Sequence, residues 1–318
     1  MTPDLYPVIE FHIPDFPARQ IEQLGSKPKF WFEIRGQPNI SGLFKQTRLH
    51  TGEAWAECVT AALAEHLGIP HARYELAIYR DEEPDGESTR GVIAWSFLEA
   101  GRYLVLGNEV LSAIVSGYPR STGDARFKRI PAHTVECVLE QCSAVKPPPG
   151  WSAPDGVADG ADVMVGYLLL DAWISNTDRH DENWGWTGKA GDDLRIAPTF
   201  DHSSSLGRNE ADPARERRLV TRDPGDTVEA YALRAPSGLH TAADGRRLRA
   251  IEAFWRAAEL RPTAARTWLS RLASLDPGIW RTELERVPPD WASPVARRFA
   301  IGILDATRKR LLVGGTKQ

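Results

Sequence analysis

The spacing of hydrophobic and polar residues differs between the first third of the chain and the rest. In the first hundred residues, short apolar runs separated by turn residues predict β-strands. The longer segment from Gly52 to Gly68 predicts a helix, and Pro70 follows its end. Its residues Val59, Leu63 and Leu67 recur every four positions, as on one helix face. The predicted strands are KFWFEIRG, GLFKQTR, RYELAIYR and RGVIAWSFL, so the predicted order is strand, strand, helix, strand, strand.

The remainder of the chain is predicted to be mainly helical. Residues Ala161 to Asn176 are apolar on nearly every side, which predicts a buried helix. Further helices are predicted for RRLRAIEAFWRAAEL, TAARTWLSRLASL and PVARRFAIGILDATRKRLL. Lys146–Asp162 predicts a surface loop, and Arg208–Thr227 predicts a long, polar, mobile one. A β-rich lobe over residues 1–98 and a helical lobe over 99–318 would enclose a cleft.

Composition and charge argue against several classes of protein, including nucleic-acid-binding and membrane proteins. The chain has 318 residues, of which 42% are hydrophobic, enough for two lobes. A net charge of −4 argues against a protein that binds nucleic acid through a global basic field. Cys58, Cys137 and Cys142 form no CxxC pair, which favours a reducing cytoplasm. No signal peptide and no apolar run of membrane-spanning length are recognisable, so no membrane contact is expected.

The segment DAWISNTDRHDENWGW places acids, amides and bases directly after the apolar run. Asp178 and Asn183 are five residues apart, and Asp201 follows eighteen residues after Asn183 in APTFDHSSSL. Protein kinases use this order: the first aspartate accepts the proton of the substrate hydroxyl, and the asparagine and second aspartate hold Mg²⁺. One amide oxygen and one carboxylate suit Mg²⁺, which prefers oxygen ligands. The sequence therefore predicts a phosphoryl-transfer site.

Groups that could bind the phosphates of ATP lie upstream. Lys45 stands among apolar residues in a predicted strand, and Glu57 lies on the predicted helix. An ion pair between them would hold the ammonium against the α- and β-phosphates. Gly25 and Ser26 form a predicted turn whose backbone N–H groups could bind phosphate. Lys29 is a further candidate phosphate contact, or else a solvated lysine.

These segments resemble those of the HipA-like serine/threonine kinases, including the shorter HipT-type members. The resemblance spans residues 22–207 and rests on GSKPK, LFKQ, E…LAEHLGIP, NTDRHDEN and APTFDHSSSL, in that order. Phosphatidylinositol kinases, which look distantly similar, share the order Asp-Arg-His. The resemblance implies an α+β, two-lobed, protein-kinase-like fold with a small β-rich N-lobe and a larger helical C-lobe.

The resemblance also implies the roles of individual residues. Asp178 would be the catalytic base, Asn183 and Asp201 the Mg²⁺ ligands, and Lys45 an ATP-binding residue. The hinge that hydrogen-bonds adenine would comprise Ser96, Phe97 and Leu98.

The implied activity is the ATP- and Mg²⁺-dependent transfer of the γ-phosphate to a Ser or Thr hydroxyl of a protein. Family members act as toxins on aminoacyl-tRNA synthetases, so a synthetase is the implied acceptor and an antitoxin-type protein a possible partner, without direct contact to nucleic acid. Two alternatives stay open. One is a kinase for a small molecule or lipid on the same scaffold, and the other is a nucleotide-binding regulatory module without turnover.

The chain departs from the family pattern in two respects. Only some twenty residues precede Gly25, whereas HipA-type kinases carry a long segment there that helps to dock the antitoxin. Glu22 aligns with the serine that the family phosphorylates on itself. That switch is therefore absent, or moved to Ser26 or to Ser203–Ser205. A carboxylate at Glu22 could also mimic the phosphorylated, silent state.

Each of these residues also has a purely structural interpretation. NTDRHDEN could be a solvated turn, and Asp201 could cap a helix. Glu57 could be an exposed helix residue, and Lys45 could protect an edge strand from aggregation. The appearance of all four features in the order of a kinase favours catalysis.

Basic residues near these acids allow two further interpretations. His180 and His202 lie near carboxylates, but no third nitrogen or sulfur ligand has the spacing of a zinc site. We therefore expect His180 to brace the catalytic loop by hydrogen bonds. A run of arginines could bind an acidic acceptor or form a solvated face. Its members are Arg215, Arg217, Arg218 and Arg222.

Overall fold

A computed structural model describes residues 3–12, 20–21, 29–34, 37–80, 88–118, 132–189 and 193–314. The strands in these ranges are β1 (Val8–His12), β2 (Gln20–Ile21), β3 (Lys29–Ile34), β4 (Gln37–Gln46), β5 (Tyr74–Arg80), β6 (Ser88–Trp95), β7 (Arg102–Leu106), β8 (Gly185–Lys189), β9 (Arg195–Ile196), β10 (Pro236–His240) and β11 (Arg247–Arg249). The helices are α1 (Glu53–Leu67), α2 (Gly107–Ile114), α3 (Val135–Ser143), α4 (Gly160–Ile174), α5 (Asp212–Val220), α6 (Val228–Leu233), α7 (Ala250–Leu260), α8 (Pro262–Ser274), α9 (Gly278–Glu285) and α10 (Pro294–Gly314).

The small lobe is a six-stranded sheet in the order β1-β5-β6-β4-β3-β2, with β1 and β5 parallel and the other pairs antiparallel. The helix α1 follows β4 and packs against β5 and β6. It ends at Gly68, whose φ of 69° is a left-handed conformation that glycine adopts without strain. The predicted order of strand, strand, helix, strand and strand matches β3, β4, α1, β5 and β6, whereas β1 and β2 were not predicted.

The inner face of this sheet is filled by aromatic rings, which the sequence pattern did not predict. Phe11 on β1 contacts Phe30 and Phe32 on β3, with ring centroids 6.4 and 5.5 Å apart. Because three strands separate β1 from β3 in the sheet, these contacts require the sheet to curl strongly. Phe44 and Tyr79 complete the cluster. The curled sheet therefore has a core of its own, separate from the one under α1.

The larger lobe is built around α4. Every residue of this helix is buried, as its apolar sequence predicts, and α3, α7, α8 and α10 pack around it. Trp268 donates from Nε1 to the Asp162 carbonyl at 2.8 Å, and Trp173 donates to the Leu304 carbonyl at 3.2 Å. The two-lobed α+β architecture is thus confirmed, while the exact boundary at residue 98 stays a prediction.

Two predicted elements are wrong in part. The residues RRLR at 246–249 do not begin a helix, because 247–249 form β11 and pair with β10. The predicted loop Arg208–Thr227 contains α5, which begins with Pro213 in its first turn. Three of its arginines form ion pairs within the segment: Arg215 with Asp212, Arg217 with Asp226, and Arg218 with Glu210 and Asp226. These pairs favour the structural interpretation of the run.

In the part of the chain that the structure describes, every helix is too short or too polar to cross a bilayer.

Candidate active site

The end of α4 sets the start of the candidate catalytic loop. Ser175 takes a left-handed conformation with φ 53°, and the Asn176 N–H donates to the Asp171 carbonyl at 2.9 Å. The chain then leaves the helix axis, and NTDRHDEN forms a loop before β8. Asp178 lies near the start of this loop, and half of its side chain is exposed to solvent.

A buried ion pair holds the loop against the helix. Arg179 donates from Nε and Nη2 to the two carboxylate oxygens of Asp171 at 2.7 and 2.8 Å. The same guanidinium donates to the Asn183 carbonyl and to Thr199 Oγ1. Burial opposes its charge, but the Asp171 carboxylate outweighs burial and raises the pKa of Arg179. Sequence reasoning missed this pair, although a lone acid in the last turn of an apolar helix was a usable signal.

The second half of the loop is anchored to neighbouring elements. Tyr118 donates its hydroxyl to Asp181 at 2.6 Å, and Trp184 donates from Nε1 to His133 Nε2 at 3.1 Å. His180 Nδ1 accepts the Glu182 N–H at 3.1 Å, which is the kind of bracing contact expected for this histidine. Both ends of the loop are thus tied to the helical lobe.

Asn183 folds back onto the loop that carries it. Its Nδ2 donates to the Asp178 carbonyl at 2.6 Å. Because the nitrogen of the amide is used in this bond, the amide oxygen is left to face another ligand. Asp178 and Asn183 are therefore held in a fixed relation across five residues.

Lys45 is the centre of the charged cluster. Its Nζ lies 3.3 Å from Asp201 Oδ2 and 3.8 Å from Glu57 Oε1. Burial disfavours the ammonium, but the carboxylates of Asp201 and Glu57 outweigh burial, and the pKa of Lys45 is raised. The structure brings together three residues that lie on a strand, a helix and a loop of different lobes.

Glu57 is fully buried on α1. Its Oε2 accepts the His202 N–H at 2.8 Å, while Oε1 has no hydrogen-bond partner among the described residues. Burial raises the pKa of Glu57 to about 8; Lys45 opposes this shift and Asp201 adds to it. The interpretation of Glu57 as an exposed helix residue is therefore wrong.

Asp201 has a left-handed backbone with φ 58°, a conformation that aspartate tolerates better than most residues. Its N–H donates to the Tyr74 hydroxyl on β5 at 2.8 Å. It lies in a loop with no helix directly after it, so the helix-cap interpretation is wrong. The next residue, His202, is buried and bonded to Thr199 Oγ1 at 2.8 Å. Burial and then Arg179 lower the pKa of His202, which keeps the ring neutral.

The remaining predicted positions that the structure describes lie on β3 and on the segment after β6. In the β3–β4 register Lys29 stands opposite Lys45, which places both side chains on one face of the sheet. Phe97 stacks on Phe200 beside Asp201, with ring centroids 5.8 Å apart. The Ser96 N–H donates to the Ser41 carbonyl and the Leu98 N–H donates to Ser96 Oγ. Glu22, Gly25 and Ser26 lie outside the described residues.

Among the described residues, no group of three His, Cys, Asp or Glu side chains is arranged to hold a metal ion by itself. A cation in this cleft would need the Asn183 amide oxygen, Asp201 and a bound anion together.

The sequence matches no family model and no curated protein. Among solved structures it is similar to the proinflammatory kinase CtkA of Helicobacter pylori, with a TM-score of 0.65, 15% identity and 96% of each chain covered. It is also similar to HipA of Shewanella oneidensis, solved with HipB and operator DNA, with a TM-score of 0.54 and 13% identity. That match covers 93% of this chain and 66% of HipA. The chain has the fold of the HipA-like kinases. At this identity the likeness establishes the fold alone, so the activity is inferred from the site.

The buried carboxyl of Glu57 gives a testable pH dependence. In the unfolded chain it ionises near 4.5, whereas its folded pKa is about 8, so the folded state binds more protons between these values. The contribution of Glu57 to stability therefore falls as pH rises through this window, by at most about 1.4 kcal/mol per pH unit. We expect Glu57→Gln to gain stability relative to wild type from pH 5 to pH 8, measured by urea unfolding. A difference that stays constant over this range would contradict the assignment.

Proposed function

We propose that the protein is a phosphotransferase that moves the γ-phosphate of ATP, with Mg²⁺, to a Ser or Thr hydroxyl of a protein. The observation that carries this proposal is the cluster in which Lys45 Nζ lies 3.3 Å from Asp201 and 3.8 Å from Glu57. Across the cleft, Asp178 and Asn183 are linked by a 2.6 Å hydrogen bond. Kinases use a lysine paired with acids, together with an aspartate and an asparagine on one loop, because they catalyse by positioning and charge neutralisation.

The donor set fits Mg²⁺ and ATP. The Asn183 amide oxygen and the Asp201 carboxylate are hard oxygen ligands, and about a third of the Asp201 side chain is exposed to the cleft. Burial raises the pKa of Glu57 to about 8, so a cation bound beside Asp201 would also favour the ionised form of Glu57. When bound, Mg²⁺–ATP supplies the electrophilic phosphoryl group and the charge that neutralises it.

Each side chain of the cluster has a distinct task in this proposal. Lys45 binds the α- and β-phosphates, and Glu57 orients its ammonium. Asn183 and Asp201 hold Mg²⁺, and Lys29 and Gly25–Ser26 are further phosphate contacts. The segment 96–98 binds adenine through groups other than the Ser96 and Leu98 N–H groups, which are already hydrogen-bonded.

Asp178 orients the acceptor hydroxyl and accepts its proton. Its half-exposed carboxylate is accessible to a substrate from outside the cleft. His180 lies beside it, with Nε2 3.9 Å from Asp178 Oδ1, and keeps the loop in shape.

Aminoacyl-tRNA synthetases are the first acceptors to test, together with an antitoxin-type partner, and the cytoplasm is the proposed compartment. The HipA structure contains HipB, which motivates the search for a partner of this chain. Two alternatives make different predictions. A small-molecule or lipid kinase would use the same cluster with another acceptor, and a regulatory module would bind ATP without turnover.

The deciding experiment uses ATP labelled at the γ-phosphate, Mg²⁺ and the purified chain, with and without bacterial lysate. Label that moves to a discrete protein, and is lost with Asp178→Ala, is the expected result. Label in a lipid or small-molecule fraction would mean that the acceptor is a lipid or a small molecule and not a protein. Tight ATP binding without transfer to any acceptor would overturn the proposal in favour of the regulatory module.

Gly238 on β10 provides a further test of loop positioning. A Cβ there would lie 2.3 Å from the Arg179 carbonyl oxygen and 2.7 Å from the His180 nitrogen, both backbone atoms that cannot swing away. We expect Gly238→Ala to displace the catalytic loop and lower the transfer rate roughly 10- to 100-fold. Gly225→Ala, at an exposed turn, should leave the rate unchanged. Equal rates for the two variants would show that the loop is not held by this contact.

A further inference from the structure

Ser204, three residues after Asp201, contacts the proposed base. Its Oγ donates to Asp178 Oδ2 at 3.2 Å, although the side chain of Asp178 is otherwise half exposed. The Ser204 carbonyl accepts both the N–H and the hydroxyl of Thr177, at 3.0 and 3.1 Å. The residue is buried. One carboxylate oxygen is therefore held, and the other is left for an acceptor.

Arg208 joins Ser204 to the other lobe. Its Nη2 donates to Ser204 Oγ at 2.8 Å, and its Nη1 forms an ion pair with Glu53 Oε1 on α1. The Arg208 carbonyl also accepts the Gly52 N–H at 3.0 Å, directly before the helix. A single residue thus contacts the first turn of α1 and the serine that binds the base.

Glu53 and Glu57 lie one turn apart on α1, and both face the segment 201–208. Glu53 is buried, its Oε2 accepts the Arg48 N–H at 3.0 Å, and its Oε1 also pairs with the Arg48 guanidinium at 3.3 Å. Glu57 accepts the His202 N–H at 2.8 Å. The segment 201–208 therefore holds α1 at two points. One is Glu57, which also pairs with Lys45, and the other is Glu53, which pairs with Arg208.

We propose that Ser204 and Arg208 are positioning residues that couple the orientation of Asp178 to the position of α1. This inference rests on the proposed function. If α1 moves outward, Arg208 follows the charged Glu53, because Arg48, the other cation at this carboxylate, is half exposed and neutralises a buried charge less well. Ser204 Oγ then loses the donor that orients it, and the Asp178 carboxylate can rotate. A shift of α1 would in this way disable the base and the Lys45–Glu57 pair together.

A kinetic cycle separates positioning from mere stability. Glu53→Gln and Ser204→Ala should each lower kcat about tenfold while KM for ATP stays within about twofold, because the ammonium of Lys45 keeps its partners Asp201 and Glu57. The kcat of the double variant should be no lower than that of the less active single variant, because both substitutions break the same chain of contacts. Ser204→Thr, which keeps the hydroxyl, should retain most of the activity. Losses that multiply, or a loss confined to KM, would overturn the coupling.

Glu65→Gln is the matched control for the kinetic cycle. Glu65 lies in the last turn of the same helix and is 80% exposed, so its substitution should change neither kcat nor KM.

Amide hydrogen exchange tests the coupling without turnover. Arg208→Lys keeps the positive charge, but a single ammonium cannot reproduce the forked contacts to Glu53 and Ser204. Exchange should become faster at both Gly52 and Thr177, whereas the amides of buried α4 stay protected. Faster exchange at Gly52 alone would overturn the inference. A chain without kinase activity would refute the proposed function, and this measurement would still decide whether the two sites are coupled.

Discussion

Replacing Asp201 by Asn is expected to lower phosphoryl transfer by about 10³-fold and to remove the Mg²⁺ dependence of ATP binding. Asp201 is the only carboxylate among the proposed metal ligands. It is also the closer of the two acids to Lys45 Nζ, at 3.3 Å against 3.8 Å for Glu57. The substitution therefore weakens the Mg²⁺ site and lets Lys45 pair with Glu57 alone. Calorimetric titration of ATP at several Mg²⁺ concentrations, together with a transfer assay, measures both effects.

Asp193→Asn is the matched control for this prediction. Asp193 is also paired with basic groups, Arg102 and Arg195, but it belongs to the turn before β9. Its substitution should change neither the transfer rate nor the Mg²⁺ dependence. If Asp201→Asn still bound ATP more tightly with Mg²⁺ than without it, Asp201 would not be a metal ligand.

Replacing Asp171 by Ala is expected to cost about 3–5 kcal/mol of the free energy of unfolding. The substitution removes two hydrogen bonds from Arg179, whose side chain is 1% exposed, and leaves its charge buried. The remaining contacts to the Asn183 carbonyl and Thr199 cannot neutralise that charge. Urea unfolding, monitored by tryptophan fluorescence, measures the loss of stability. The transfer assay should show a lower rate, because the catalytic loop has lost its anchor.

Two further variants test whether the loss of stability comes from leaving the Arg179 charge buried without a partner. Arg281→Ala breaks an exposed pair with Asp305 and should cost less than about 1 kcal/mol. Asp171→Leu combined with Arg179→Met removes both charges and should recover most of the stability without recovering transfer, because the loop has lost its anchor. A cost for Asp171→Ala as small as that for Arg281→Ala would mean that water solvates Arg179 in solution.

Much of the candidate site could be predicted because its residues come in short segments with distinctive chemistry. Asp178 and Asn183 lie on one loop, Lys45 stands among apolar residues, and Asp201 follows Asn183 at the spacing of a kinase. Their roles stay predictions, but the structure pairs Lys45 with Asp201 and links Asn183 to Asp178 by a hydrogen bond. His180 was expected to brace the loop, and it hydrogen-bonds within it.

The residues that position Asp178 and α1 could not be predicted. Ser204 was considered only as part of a possible phosphorylation site at Ser203–Ser205, Arg208 looks like an ordinary loop residue, and Glu53 looks like one of several acids on a helix. Their importance arises only when α1 is packed against the segment after Asp201. The helix α5 was missed for a similar reason, since its charges are neutralised by partners that a sequence pattern does not reveal.

The sequence by itself determined the order of the main elements, the buried helix α4 and the types of side chain available for phosphoryl transfer. These properties are local, because strand and helix periodicities and motif spacings extend over a few turns of chain. The tertiary structure decided which charges meet: the Lys45–Asp201 contact, the burial that raises the pKa of Glu57, and the aromatic core of the curled sheet. Such properties depend on distances between residues far apart in the chain, and electrostatic interactions change steeply with distance and burial.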